Sequence, residues 1–242
     1  MRRSFLIITL LCVTQSGTPA LAEWYASAYL GTAHSVSSSL LLSQPSSGTQ
    51  LRFSPVSYRS DSFKLPLYYG YRVGYFLPFA PYLGAEAEFI HLKVFAETDR
   101  SVMVEGQHNG RPANQRSRMD EIVQNFSISH GMNLLLLNAA IRYPMSKVDR
   151  HPPRAFLMAR LGAGPTIPHP ESRIEGATLQ RYEIGSLGVQ GAAGAQLRLR
   201  GGIYALAEYK FTRTRQSVTV SGGTAGTLLK THHGVLGLAY HF

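Results

Sequence analysis

The feature that most limits the fold of this chain is an apolar side chain at every second position, repeated in eight segments. It is clearest at the C-terminus, where Leu238, Tyr240 and Phe242 share one face. A period of two is the side-chain period of a β-strand, and charges confined to the other face indicate a strand that separates lipid from a polar interior. The sequence therefore predicts an all-β fold, an eight-stranded antiparallel transmembrane β-barrel.

Residues 1–22 have the pattern of a secretory signal peptide. Two arginines precede an apolar run, and the small residues Ala20 and Ala22 predict cleavage before Glu23. We therefore expect a signal peptide at 1–22 and a single outer-membrane β-barrel domain at 23–242, exported to the bacterial outer membrane.

The composition of the mature chain excludes some chemistry. The single cysteine, Cys12, lies in the leader, so disulfide, thiolate-metal and cysteine-nucleophile chemistry are not expected. Without Arg2 and Arg3, 22 of the 24 Lys+Arg residues remain against 14 Asp+Glu, a formal net charge of +8. These basic residues are scattered, whereas nucleic-acid binding requires a cluster. An anionic membrane surface is therefore the predicted partner, and nucleic acid is not.

Strands and connections alternate regularly in length. Seven strands are predicted at about 23–33, 62–77, 82–96, 126–143, 154–165, 184–199 and 203–213, and an eighth closes the barrel at the C-terminus. Long connections cover 34–61, 97–125, 166–183 and 214–227, and short turns cover 78–81, 144–153 and 200–202. Bacterial barrels place long loops outside the cell and short turns in the periplasm. We expect that topology here, in a monomer.

The inward-facing positions of the predicted strands carry charges of both signs. Eight strands enclose just enough space for their own side chains, and charges withdrawn from water must pair or cost several kcal/mol each. We therefore predict that ion pairs plug the lumen and that the protein has no porin activity. In the alternative interpretation, Glu86 and Glu88 are acid/base groups. The predicted plug residues are Arg72, Glu86, Glu88, Arg142, Arg160, Glu208 and Lys210, and Lys64 and Arg198 are also expected to face inward.

Seven of the nine histidines lie toward the end of the predicted barrel where the long connections are expected. Imidazole is the commonest protein ligand for a transition metal, so a metal site built from His130, His233, His91 and Glu88 is one hypothesis. The other hypothesis is that these histidines are separate surface residues. Ser129 precedes His130 and suggests a serine hydrolase, but adjacent residues of a strand point to opposite faces, which argues against it.

Several stretches resemble one family of small exported barrels, the proteins labelled lipid A oxidase. The similar stretches are Pro66–Arg72, Phe89–Ala96, His130–Ala139, Gly162–His169 and Ala207–Lys210. More broadly, the chain resembles the opacity-protein-like superfamily of eight-stranded outer-membrane barrels. The narrower resemblance implies an oxygen-dependent enzyme that acts on lipopolysaccharide, with a transition metal as candidate cofactor, and it assigns no catalytic residues.

Two functions therefore stay open from the sequence. One is a lipid A-modifying oxidase, and the other is a non-catalytic barrel for surface interaction or envelope integrity. Arginines such as Arg52, Arg213 and Arg215 would serve either function, because guanidinium binds phosphate in a bidentate manner. We also expect the barrel-assembly machinery to recognise the C-terminal face of Leu238, Tyr240 and Phe242 during insertion.

Overall fold

A computed structural model describes residues 23–145 and 153–242, so the predicted signal peptide and most of the 144–153 turn lie outside the described residues. The secondary structure of the described residues consists of strands and two short 3₁₀ turns, Pro45–Ser47 and Met119–Glu121. The strands are β1 (Glu23–Ser35), β2 (Ser38–Gln44), β3 (Thr49–Val56), β4 (Tyr58–Arg59), β5 (Tyr69–Leu77), β6 (Ala80–Ala96), β7 (Ser101–His108), β8 (Arg111–Arg118), β9 (Val123–Pro144), β10 (Ala155–Pro168), β11 (Glu171–Ile174), β12 (Ala177–Gln180), β13 (Leu187–Arg200), β14 (Ile203–Val220) and β15 (Gly223–His241). None of the described residues forms a helix long and apolar enough to cross a membrane.

Eight of the strands form a closed antiparallel ring. They pair in the order β1–β5–β6–β9–β10–β13–β14–β15, and β15 pairs back onto β1 from Tyr25 opposite His241 to Ser35 opposite Thr231. This confirms the predicted eight-stranded antiparallel barrel. Closure satisfies the backbone hydrogen bonds of every strand, which an apolar solvent requires.

The outward face of the ring is an apolar band. Leu137, Leu161 and Leu236 expose 74%, 73% and 70% of their surface. Aromatic rings border the band: Trp24 packs against Tyr75 at the end that carries Glu23 and Phe242, which we call the lower end. So large an exposed apolar surface is stable in lipid and not in water, and aromatic borders are typical of membrane interfaces.

The four long connections lie together at the opposite, upper end, but they are not irregular loops. The sheet continues from β15 through β2, β3 and β7 to β8, while the β11–β12 hairpin adds to β9. The predicted connection 214–227 is an extended hairpin of β14 and β15, paired as far as Val220 opposite Gly223. We call this part the upper extension.

The upper extension has an apolar interior, which continues into the lumen at Leu134 and Leu136. Leu40, Leu42, Phe53 and Val104 are nearly or fully buried, although they lie in segments rich in serine and glutamine. Apolar side chains at alternate positions of β2, β3 and β7 point to the same face, so pairing of these short strands brings them together. The same interior receives Leu51, Val56, Val102, Met119, Val123, Phe126, Ile128, Ile174, Val218, Val220, Ala225 and Leu229.

Candidate functional site

Six charged side chains meet in the middle of the barrel, and we call them the lumen cluster. Three are cations and three are anions, so the cluster is electrically balanced. They come from β5, β6, β10 and β14, and each side chain exposes 3% of its surface or less. The members are Arg72, Glu86, Glu88, Arg160, Glu208 and Lys210.

Arg72 lies at the centre of the lumen cluster. Its Nη2 atom is 2.6 Å from Glu88 Oε1 and 2.8 Å from Glu208 Oε1, and its Nε atom is 3.4 Å from Glu86 Oε2. Arg160 Nε donates to Glu86 Oε2 at 2.7 Å. Each buried charge therefore contacts at least one opposite charge, as a water-poor interior requires.

Two tyrosines of β1 lie across the lumen against this cluster. Tyr29 donates its hydroxyl proton to Glu88 at 2.6 Å, and Tyr25 donates to Glu86. Glycine provides the room: a Cβ atom at Gly70 would lie 2.3 Å from the ring of Tyr29. The alternation of glycine and arginine on β5 thus leaves room for the rings of Tyr25 and Tyr29 and places the guanidinium of Arg72 between them.

A second polar layer fills the lower end of the lumen. Arg142 pairs with Glu23, donates from Nε to the Pro81 carbonyl at 2.6 Å, and lies 3.9 Å from the Phe76 ring centroid. His241 Nδ1 is 2.6 Å from the Glu23 carboxylate. Arg142 is therefore inside the barrel, but in a separate layer from the lumen cluster.

Of the two further residues expected to face inward, Arg198 lies on the inward face of β13 opposite Tyr204, whereas Lys64 is placed differently. Lys64 is exposed and lies 3.4 Å from Asp61, because β5 begins only at Tyr69 and not at about 62. Arg198 is half-buried near the lower end. The prediction that Lys64 faces inward was wrong, because the alternation of apolar and polar residues in the sequence begins before the first residue of β5 that pairs with a neighbouring strand.

The four proposed metal ligands are not brought together. His233 is buried in the upper lumen between Tyr68 Oη at 3.1 Å and Thr212 Oγ1 at 2.9 Å. His91 hydrogen-bonds to Asn133 at 2.8 Å and stacks on Tyr69.

Glu88 belongs to the lumen cluster, and His130 is exposed above the apolar band. Within residues 23–145 and 153–242, no three His, Cys, Asp or Glu side chains converge on a metal-sized space. The residues in the metal hypothesis do not fit a shared metal ion.

Ser129 and His130 are in contact, against the expectation that they face opposite sides. Ser129 Oγ is 3.1 Å from His130 Nδ1 and 3.2 Å from Glu171 Oε2. A bulge at Gly131, which has a φ of 124°, breaks the alternation. A serine hydrolase needs its carboxylate on the second imidazole nitrogen, and here the carboxylate accepts from the serine. The contact therefore lacks the order of a catalytic relay.

His169 packs beside this contact, just above the end of β10. Its ring stacks on Tyr182 with centroids 3.9 Å apart and meets His130 edge-on at 4.9 Å. Burial and the neighbouring His130 lower the pKa of His169 below its ordinary value. This packing therefore favours the neutral imidazole of His169 over the protonated one.

No protein-family model and no curated protein matches the chain. Solved structures do. The outer membrane protein OprG from Pseudomonas aeruginosa is similar, with a TM-score of 0.50 and 11% sequence identity over 91% of this chain and 96% of that chain. This chain has an outer-membrane β-barrel fold. The outer membrane protease OmpT from Escherichia coli matches 95% of this chain and 99% of its own chain at a TM-score of 0.47 and 12% identity.

Ail, the attachment invasion locus protein of Yersinia pestis, matches 90% of this chain and 98% of its own chain, at a TM-score of 0.36 and 13% identity. At such identities, a likeness between barrels extends to the fold and not to the activity.

Proposed function

We propose that this protein is a sealed outer-membrane barrel that acts through its outer surface, in contact with lipopolysaccharide, and does not conduct ions. The lumen cluster carries this proposal. Its six charges satisfy one another, and tyrosine rings close the space between them. Transport through the barrel would require breaking these buried ion pairs, so the outer surface is left as the working part of the molecule.

The orientation and partners follow from the same proposal. The upper extension faces the cell exterior, and the termini and short turns face the periplasm, as in bacterial barrels generally. The outward faces of Leu238, Tyr240 and Phe242 support recognition by the barrel-assembly machinery, since all three are exposed beside the β1–β15 closure. The protein is expected to be a monomer, because the closed ring leaves no unpaired strand within the apolar band.

The test of this proposal has two measurements on purified, folded protein. In planar bilayers the protein should give no stable ion conductance, with a trimeric porin as the conducting control. In bilayers that contain lipopolysaccharide, its unfolding temperature should rise above that in phosphatidylcholine alone, and salt should reduce the rise. A stable channel, or equal unfolding temperatures in both lipids, would contradict the proposal.

The lipid A oxidase is the second candidate, favoured by the resemblance of Pro66–Arg72 and His130–Ala139 to proteins with that label. The two stretches supply Arg72 to the lumen cluster and Asn138 to its hydrogen bonds, so part of the resemblance lies in a buried structural region. Mass spectrometry of lipid A from cells with and without the protein distinguishes the candidates. An oxidised proximal sugar only in expressing cells would favour the oxidase.

A further inference from the structure

A groove on the outer surface follows from a local break in strand pairing. β1 ends with Ser35 opposite Thr231, and β2 resumes pairing on β15 only at Leu40 opposite Thr227. Between them, Val36 still donates its backbone N–H to the Lys230 carbonyl at 2.9 Å, and residues 37–39 are not part of the backbone pairing between β2 and β15. The resulting groove of about 610 Å³ lies between this segment and the β14–β15 hairpin.

The groove carries an uncompensated pair of cations. Arg215 of β14 and Lys230 of β15 line the groove and face outward, and Arg213 lies directly opposite Lys230 on the same outward face. Like charges directly opposite each other destabilise a sheet. Within residues 23–145 and 153–242, these three side chains have no ion pair, and the groove lining contains no carboxylate.

The height of the groove places it at the border of the apolar band. On β14, Tyr209 and Phe211 precede Arg213 on the outward face, and both rings contact His232 of β15. Two residues of a strand advance about 7 Å. Lys230 therefore lies about one step above an aromatic border, and Arg215 lies about two steps above it, at the level of lipid headgroups in a membrane.

The remaining lining suits a headgroup that carries sugars as well as phosphate. Hydroxyl side chains line the groove beside the cations, and Val36, Leu41 and Leu228 add apolar surface. Hydroxyls can both donate to and accept from sugar hydroxyls, while arginine and lysine donate to phosphate. The hydroxyl residues are Ser37, Ser38, Ser39, Ser217 and Thr227.

We propose that this groove binds the phosphorylated sugar headgroup of one outer-leaflet glycolipid of the lipid A type. The phosphate contacts Arg215 and Lys230 and so relieves the repulsion between Lys230 and Arg213. The serines contact the sugar, and the acyl chains continue down the apolar band past Leu236. The inference rests on the proposed function, because it names the site through which the sealed barrel engages its leaflet.

The test compares two double variants of the full barrel in detergent micelles. Arg215→Gln/Lys230→Gln removes the two cations that line the groove, and Arg116→Gln/Arg173→Gln removes the same charge from exposed positions elsewhere in the upper extension. All four side chains point outward, so both variants should fold. Binding is measured with diphosphorylated lipid A, with lipid A stripped of its phosphates, and with inorganic phosphate.

The groove variant should bind diphosphorylated lipid A about ten-fold or more weakly than the control variant, since each basic residue near an anionic surface contributes about 1 kcal/mol. Removal of the phosphates should erase the difference between the variants. Equal binding by both variants would overturn the groove while leaving the proposed function in place. No binding by the unmodified protein would overturn both, and equal competition by inorganic phosphate would exclude the sugar contacts.

Discussion

The membrane part of the barrel and the upper extension are built from the same strands with opposite interiors. Along β14 the inward residues Glu208 and Lys210 belong to the lumen cluster, whereas Val218 and Val220 lie in the apolar core of the upper extension. The outward face changes in the reverse direction, from Tyr209 to exposed arginine. One strand therefore exchanges its polar and apolar faces where its surroundings change from lipid to water.

This inversion shows what each interior must do. In lipid the outward face must be apolar, so the charged residues of these strands lie in the lumen and fix the register, beside apolar side chains such as Leu136 and Phe156. In water the upper extension gains stability by burying Phe53 and its neighbours, as a soluble sheet does. The lumen thus depends on charge balance, and the upper extension depends on packing.

The largest effect is expected from upsetting the charge balance. Arg72→Leu leaves three buried carboxylates with two cations, which should cost about 3–5 kcal/mol of unfolding free energy. Thermal or urea unfolding of the barrel in micelles measures it. Glu208→Gln added to Arg72→Leu restores the balance and should recover part of the loss. Lys64→Leu is the matched control, since Lys64 is exposed, and wild-type unfolding of Arg72→Leu would refute a charge-dependent lumen.

A smaller and more local effect is expected from the apolar core. Phe53 is fully buried between β2 and β7, so Phe53→Ala should destabilise the upper extension by about 3 kcal/mol through the cavity left behind. Amide hydrogen exchange should increase in β2, β3 and β7, with β5 and β10 little changed. Phe63→Ala, at an exposed phenylalanine, is the control. Equal exchange throughout the barrel would show that the two parts unfold as one unit.

The sequence predicted the membrane part better than the upper extension for a physical reason. A lipid-facing strand must alternate without interruption, so the register of Arg72 followed from the pattern alone. In the upper extension, Leu40 and Leu42 alternate over only a few residues among serines, and their pairing depends on contacts distant in sequence. The contact between Ser129 and His130 was also beyond prediction, because it arises from the bulge at Gly131.

The smallest effect concerns the border between the two parts, where His169 packs on Tyr182. Because burial and His130 lower the pKa of His169, the opened form binds a proton more readily than the packed form does. Stability of this packing is complete above the ordinary histidine pKa of about 6.5 and decreases as the pH falls below it. Limited proteolysis at Arg181 should therefore accelerate in mild acid, while His169→Gln should make the rate independent of pH across this range. Acid-accelerated cleavage that persists in His169→Gln would assign the pH sensitivity of cleavage to a group other than His169 and contradict the prediction.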